Sequence, residues 1–95
     1  MEQKEKLSIL HKKLTAKNIL TVREIEYLSL VALGYSNKTI AENLLVTHST
    51  VKKTLEIIFD KLKAKDRANA VTIAFIHNIL YEELLSKIIK KYNLN

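Results

Sequence analysis

The sequence predicts an all-α fold, and its composition supports that prediction in three ways. The 95 residues include no proline and only one glycine, whereas 47% of them are apolar. A fold rich in β-strands and tight turns needs more of these turn-forming residues, so helices joined by short links are favoured. A chain of this length suits one domain that buries about 60 to 65% of its extended-chain surface.

Residues 3–14 are predicted to form a short amphipathic helix. Leu7, Leu10 and Leu14 are spaced so that they share one face, and lysines and glutamates surround them. A single helix of this length is marginal unless it packs on another surface. The segment is also basic, because residues 1–19 hold five lysines against two glutamates.

A second helix is predicted to begin after Thr21. The Thr21 hydroxyl and the Glu24 carboxylate can form a capping box, and Leu20 can pack onto Ile25 as a hydrophobic staple. Gly34, the only glycine in the chain, stands where a left-handed residue normally closes a helix.

Residues 36–62 predict a short helix, a tight turn and a longer helix, a layout typical of helix-turn-helix DNA readers. Ser36 and Thr47 are the expected N-caps of the two helices. In the longer one, the reader helix (residues 49–62), the apolar residues recur on one narrow stripe. They are Val51, Leu55, Ile58 and Leu62. The opposite arc holds Ser49, Lys52, Lys53, Glu56, Asp60 and Lys63.

A last helix is predicted to run without a break from Arg67 to about Tyr92, with Asp66 as its N-cap. Its apolar residues fall on two sides: Val71, Phe75 and Ile79 on one, and Ile73, Ile76, Leu80 and Leu84 on the other. One small domain cannot easily cover both sides, which indicates a surface for a partner.

Four segments follow one another in a recognisable order. They are L-T-V-R-E-I-E-Y-L at 20–28, V-A-L-G-Y-S-N-K-T-I-A-E-N-L at 31–44, T-V-K at 50–52, and I-F-D-K-L followed by D-R-A-N-A ending at Ala70. Together they closely resemble the LuxR-type (GerE-like) helix-turn-helix domain of bacterial transcription regulators. The sequence departs from the family's usual residues at Thr54 (often histidine), Ile57 (often asparagine) and Lys63 (commonly glycine), and the last departure leaves the form of that turn open.

The resemblance implies a four-helix domain over residues 20–80, with a helical extension at residues 1–19 and an extended last helix at residues 81–95. The reader helix would lie in the major groove of double-stranded DNA, and the last helix would form a homodimer contact. Positions aligned with base-contacting residues of relatives are Lys52, Lys53 and Glu56, and those near phosphates are Thr50, Lys61 and Lys65. The dimer contact is expected at Val71, Phe75, Ile76, Ile79 and Leu80.

Several side chains on the outer side of the reader helix have more than one interpretation. Lys52 and Lys53 can donate to guanine or to phosphate, or they can form a solvated face. Glu56 can accept from cytosine N4, or it can pair with Lys52 at i, i+4 and lie flat. Ile57 is expected to be a tolerated exposed residue, although it could also touch a thymine methyl group or a neighbouring protein.

The remaining features narrow the class of protein. The formal net charge of +6 and the pI near 9.6 favour a polyanionic partner. The chain has no cysteine, and its three histidines, His11, His48 and His77, lack metal-ligand spacing, so no metal or cofactor is expected. Neither a catalytic constellation nor a glycine-rich phosphate loop occurs, which argues against an enzyme and gives no sign of a small-molecule ligand. The most apolar run is too short and too polar for a membrane span.

The sequence therefore predicts a bacterial, sequence-specific DNA-binding transcription regulator that acts as a homodimer, located in the cytoplasm with the nucleoid. The nineteen residues before Leu20 cannot hold a sensor domain, so a stand-alone member of the family is expected. RNA polymerase is a further candidate partner. The rival hypothesis is a protein-interaction module built on a helix-turn-helix scaffold, with weak or no DNA binding.

Overall fold

The computed structural model describes residues 19–94, and helices joined by short turns make up this part of the chain. The helices are α1 (Val22–Ala32), α2 (Asn37–Leu44), α3 (His48–Leu62), α4 (Arg67–Ile76) and α5 (Glu82–Lys91). No strand occurs within residues 19–94, so the all-α prediction is confirmed. The helix predicted at residues 3–14 lies outside the described residues.

Four of the five described helices begin with the predicted cap. Thr21 Oγ1 accepts from the Glu24 backbone N–H at 3.0 Å, and Glu24 Oε1 accepts from the Thr21 N–H at 2.8 Å, which completes the capping box. Side chains of three further N-caps accept from the backbone N–H three residues on: Ser36, Thr47 and Asp66. Gly34 follows α1 with φ of +93°, the left-handed conformation that the sequence predicted for it.

The core lies where α3 crosses α1 and α2, both of which pack against it. The predicted stripe of α3 faces this core, and none of its four residues is more than 4% exposed: Val51, Leu55, Ile58 and Leu62. The opposing side chains come chiefly from Tyr27, Leu28, Leu30 and Val31 of α1 and from Ile40, Ala41 and Leu44 of α2. With this stripe buried, the opposite side of α3 must face outward.

The prediction of one unbroken helix from Arg67 to Tyr92 is wrong. Helix α4 ends at Ile76, and a turn over residues 77–81 separates it from α5. Asn78 has φ of +58° in this turn, and asparagine is one of the few residues that adopt the left-handed conformation readily. The turn lets α5 fold back onto α1, which buries Leu80 and Ile88 to 1% and 5% exposure.

A polar cluster of Arg23, Glu26, Lys91 and Tyr92, the Glu26 cluster, fixes the end of α5 to α1. The Tyr92 hydroxyl donates to Glu26 Oε2 at 2.9 Å, Lys91 pairs with the same oxygen, and Arg23 pairs with Oε1 at 3.3 Å. Burial alone would raise the pKa of Glu26. The hydrogen bonds from Lys91, Tyr92 and Arg23 outweigh burial, so the pKa lies below its ordinary value of 4.5.

Candidate nucleic-acid interface

The outer arc of α3 is a surface that the described helices leave exposed. All six residues predicted for this arc are exposed: Ser49, Lys52, Lys53, Glu56, Asp60 and Lys63. Within residues 19–94, no ion pair joins Lys52 to Glu56, and neither Lys52 nor Lys53 is held by a carboxylate. The flat Lys52–Glu56 pairing is therefore not formed, and two ammonium groups and one carboxylate point outward together.

The turn before α3 sets how the arc is presented. Leu45 ends α2 with φ of 57° and ψ of 46°, and it is 91% exposed, so the chain reverses there without a glycine. The Val46 N–H donates to the Ala41 carbonyl at 3.0 Å, and Arg23 Nη2 donates to the Leu44 carbonyl at 2.9 Å. These bonds satisfy carbonyls at the end of α2 and tie this end to α1. The direction in which α3 leaves the turn is thereby fixed.

The first turn of α3 carries Thr50, one of the predicted phosphate contacts. Its backbone N–H is held by Thr47 Oγ1 at 3.1 Å, and the two threonine hydroxyl oxygens lie 2.9 Å apart. Both side chains are exposed, at the positive end of the helix dipole. A hydroxyl and a helix start so placed are suited to an anionic oxygen.

Lys61, also predicted near phosphate, already has an anionic partner inside the chain. Its Nζ donates to Glu24 Oε1 at 2.8 Å and to Oε2 at 3.0 Å, which joins α3 to the start of α1. Burial raises the pKa of Glu24, but the hydrogen bonds from Lys61 and Thr21 outweigh it and leave the pKa lowered. The sequence identified Glu24 as a capping residue and gave no sign of this second contact.

Lys65 lies in the link between α3 and α4 and is exposed. Its backbone N–H donates to Asn69 Oδ1 at 2.9 Å, which ties the link to the first turn of α4. The link opens with Lys63 at φ of 56°, so a lysine takes the left-handed conformation that glycine would take there. The turn keeps the form that a glycine would give it, and Lys63 bears a conformational cost instead.

Arg67 is a structural residue that the sequence analysis did not single out. Its guanidinium donates to Asn37 Oδ1 and to the Tyr35 carbonyl, each at 2.6 Å. Burial lowers the pKa of Arg67 from its ordinary value. The side chain joins the first turn of α4 to the loop after α1 and to the first residue of α2, and it thereby holds α4 against this part of the fold.

The residues predicted for a dimer contact divide into three groups by exposure. Phe75 and Ile76 are 42% and 65% exposed, whereas Val71 and Ile79 are partly buried against the core. Leu80 is 1% exposed, so it belongs to the core and offers no surface to a second chain. Ala68, Val71, Thr72 and Phe75 follow the i, i+3, i+4, i+7 spacing of one helix face, here called the α4 stripe.

The described part of the chain has neither a cluster of metal-ligating side chains nor a membrane-spanning helix. Within residues 19–94, no group of three or more histidine, aspartate or glutamate side chains is arranged to hold a metal ion. None of the described helices has the length and apolar character needed to cross a membrane.

Known proteins are similar to this chain over the helices that build the outer arc of α3. A family model described as bacterial regulatory proteins, luxR family, matches residues 18–74. Response regulator protein VraR of Staphylococcus aureus (strain Mu3) and that of Staphylococcus epidermidis (strain RP62A) are each 47% identical to the chain over 62 residues. The matched part is 65% of this chain but only 30% of each relative. No solved structure matches the chain.

Proposed function

The chain belongs to the luxR family of bacterial regulatory proteins, and from this membership we propose that it binds double-stranded DNA and regulates transcription. The main structural support is the outer arc of α3, where Lys52 and Lys53 are exposed and unpaired among the described residues. The opposite side of the same helix is buried, so these amines project from a rigid support. A protein with this role would act in the cytoplasm, on the nucleoid.

Helix α3 suits the major groove, which admits one α-helix and presents distinct donors and acceptors for each base pair. Lys52 and Lys53 can donate to guanine O6 and N7, and Glu56 can accept from cytosine N4. Since Glu56 does not pair with Lys52 in the described structure, its carboxylate is available for that contact. We therefore assign base reading to these three residues.

Phosphate contacts are assigned to Thr50, Lys61 and Lys65. Thr50 and Lys65 are exposed at the two ends of α3, where a helix lying in the groove meets the backbones on either side. Lys61 directs two hydrogen bonds to Glu24, and an ammonium group has three donors, so one remains for phosphate. The neighbouring carboxylate weakens the pull of Lys61 on DNA.

A homodimer is proposed through the α4 stripe, where Val71 and Phe75 present apolar surface on a helix that Arg67 holds in place. A two-fold axis through this contact would set two copies of α3 against half-sites roughly 10 bp apart. Ile76, which is 65% exposed, adds apolar area at the end of the same helix.

A random-duplex binding selection at two salt concentrations tests the proposal. We expect an enriched motif with two half-sites about one helical turn apart, and an affinity that falls steeply with salt because phosphate contacts release counterions. Repeating the selection with Glu56→Gln should change the preference at one base pair. Selected duplexes without a common motif, together with a flat salt dependence, would contradict the proposal.

A protein-interaction module is the second candidate, and one feature of α3 favours it. Lys53, Glu56, Ile57, Asp60 and Lys61 line a shallow depression in which Ile57 is 52% exposed. An apolar residue surrounded by charges of both signs also suits contact with a partner protein. Ile57→Ser separates the candidates, since it should leave DNA affinity almost unchanged if α3 reads DNA through its lysines and glutamate.

A further inference from the structure

Arg23 in the first turn of α1 contacts both the end of α5 and the turn between α2 and α3. Its Nη2 donates to the Leu44 carbonyl at 2.9 Å. Its Nη1 donates to Glu26 Oε1 at 3.3 Å and to the Tyr92 hydroxyl oxygen at 3.4 Å. Among the described helices, α5 lies beside α1 alone. Arg23 therefore connects α5 to the turn that leads into α3.

The turn between α2 and α3 sets the position of the first residues of α3. Leu45 adopts the left-handed conformation in this turn and is 91% exposed, so its side chain adds little packing. The Leu45 and Val46 N–H groups, here called the turn amides, both donate to the Ala41 carbonyl. The Leu44 carbonyl accepts from Arg23 on α1. Loss of this bond would free the turn from α1 and allow the outer arc of α3 to shift.

The two oxygens of Glu26 have different partners. Oε2 accepts from the Tyr92 hydroxyl at 2.9 Å and pairs with Lys91, whereas Oε1 pairs with Arg23. Lys91 and Arg23 carry like charges and share one negative charge, so they compete for this carboxylate. While the end of α5 occupies Oε2, Arg23 has only Oε1 to bind, and its Nη2 is directed to the Leu44 carbonyl.

We propose that Lys91 and Tyr92 are positioning residues for α3: by occupying Glu26 Oε2, they leave Arg23 Nη2 to hold the turn before α3. Arginine and a carboxylate three residues apart on one helix can pair, and two parallel N–H···O bonds are a favoured geometry for these groups. If the end of α5 leaves α1, Oε2 becomes free for such a two-bond pair. The loss of the like charge on Lys91 strengthens the same attraction.

The choice between two partners is confined to one arm of Arg23. The guanidinium carbon lies 5.7 Å from the centre of the Tyr27 ring on the same helix, so this contact does not depend on α5. The partner of Nη2 is what α5 decides. Because the Arg23 side chain is 48% exposed, water screens this choice, and an effect of only a few-fold is expected.

This coupling would give α5 control over DNA binding, and it rests on the proposed DNA-reading role of α3. Helix α5 lies beyond residues 18–74, the part matched by the family model. Its residues Leu80 and Ile88 are buried and hold the helix near α1. Any event that withdraws Lys91 and Tyr92 from Glu26 would therefore weaken specific DNA binding without contact to α3.

Amide hydrogen exchange on the free, full-length protein tests the coupling. Lys91→Met with Tyr92→Phe should speed exchange of the turn amides by about two- to fivefold, the range that a half-exposed ion pair supports. Lys90→Met with Tyr81→Phe removes the same groups from exposed positions of α5 and should leave these amides unchanged. Equal exchange of the turn amides in the two double variants overturns the proposal.

A rescue variant separates positioning from a general loss of stability. Adding Glu26→Gln to Lys91→Met and Tyr92→Phe removes the charge and one of the two acceptor oxygens, so the two-bond pair with Arg23 cannot form. Exchange of the turn amides should then return toward the native rate, even though the free energy of unfolding falls further. Faster exchange of the turn amides in this triple variant than in the double variant overturns the proposal.

The slowest amides of α1 and α3 report whether each variant is folded. Tyr92→Phe alone changes a single hydroxyl group, which guards against loss of the fold, and it should speed the turn amides in the same direction by a smaller factor. Arg23→Ala lacks the bond to the Leu44 carbonyl in every background and sets the upper limit of the effect. Turn amides that exchange at the native rate in Arg23→Ala would overturn the proposal.

Binding to a selected duplex connects the coupling to function. Lys91→Met with Tyr92→Phe should lower the ratio of specific to non-specific affinity by about two- to fivefold, whereas Lys90→Met with Tyr81→Phe should preserve it. An equal ratio in the two variants, despite faster exchange of the turn amides in the first, overturns the positioning role. Exchange needs no DNA, so a native protein without sequence preference would contradict the proposed function separately.

Discussion

On the outer arc of α3, Lys52, Lys53 and Glu56 make no ion pair within the described residues, whereas on α1 Glu24 and Glu26 are each held by cations from other helices. Both surfaces are charged, and both belong to helices with one buried side. The carboxylates of α1 are nearly buried and hold α3 and α5 in place. Lys52, Lys53 and Glu56 on the outer arc of α3 are exposed, so their charges are available for a ligand, whereas the paired carboxylates of α1 stabilise the fold.

The largest expected effect concerns the α3 lysines. Lys52→Ala with Lys53→Ala should weaken specific binding by at least about 2 kcal/mol, since each base-contacting side chain is worth about 1 to 3 kcal/mol. The unfolding temperature should stay constant because both side chains are exposed. Fluorescence anisotropy with a selected duplex measures the loss. Lys87→Ala with Lys90→Ala removes the same charge from α5, and an equal loss there would mean that charge alone governs binding.

The next effect concerns the Glu26 cluster. Glu26→Gln should lower the free energy of unfolding by about 1 to 3 kcal/mol, because the amide has one acceptor oxygen instead of two and no longer carries the negative charge that faces Lys91 and Arg23. Urea denaturation measures the change. Glu42→Gln on the exposed side of α2 is the matched control and should be nearly neutral. An unchanged free energy of unfolding for Glu26→Gln would show that the Glu26 cluster does not stabilise the fold.

A lower pH should weaken the ion pairs that Glu24 and Glu26 of α1 make with the other helices. The pKa values of Glu24 and Glu26 are both lowered from 4.5 in the folded protein. Their stabilisation is therefore present in full above pH 4.5 and is lost as the pH falls through the lowered values. Denaturation from pH 7 downward should show a falling free energy of unfolding below about pH 5. The double variant Glu24→Gln with Glu26→Gln should show a smaller fall.

Glu24→Gln should release Lys61 from its ion pair and so make its ammonium group available to DNA. Glutamine can still form the capping box, but it no longer neutralises Lys61, so a loss of only about 0.5 to 1 kcal/mol of stability is expected. The freed ammonium should increase DNA affinity at low salt and steepen the salt dependence by about one charge. Adding Lys61→Ala should return the slope to its original value. If the slope does not change, Lys61 is no phosphate contact.

The smallest effect concerns the turn after α3. Lys63→Gly should raise the free energy of unfolding by about 0.5 kcal/mol, since a lysine in the left-handed conformation costs about 1 to 2 kcal/mol and glycine returns part of this as chain entropy. Lys65→Gly, at a position without positive φ, should lower it instead. Thermal unfolding of both variants provides the test. A lower free energy of unfolding for both variants would mean that the Lys63 side chain makes contacts that offset its conformational strain.

Local features of the fold could be predicted from the sequence alone. The caps at Thr21, Ser36, Thr47 and Asp66 each depend on a hydroxyl or carboxylate three residues from its donor, and the stripe of α3 depends on helical spacing. Such features need no knowledge of distant residues. For the same reason, the exposure of Lys52 and Lys53 followed from the burial of the opposite face.

Only the tertiary structure decided which charges are paired and where the last helix breaks. Lys61 lies 37 residues from Glu24, and Lys91 lies 65 residues from Glu26, so no local pattern couples them. The break at Asn78 is unmarked by glycine or proline, and it forms because burying Leu80 and Ile88 against the domain is more favourable than leaving them on a straight helix in water. Burial of distant apolar surface overrode the local helical pattern there, and only the folded chain specifies that surface.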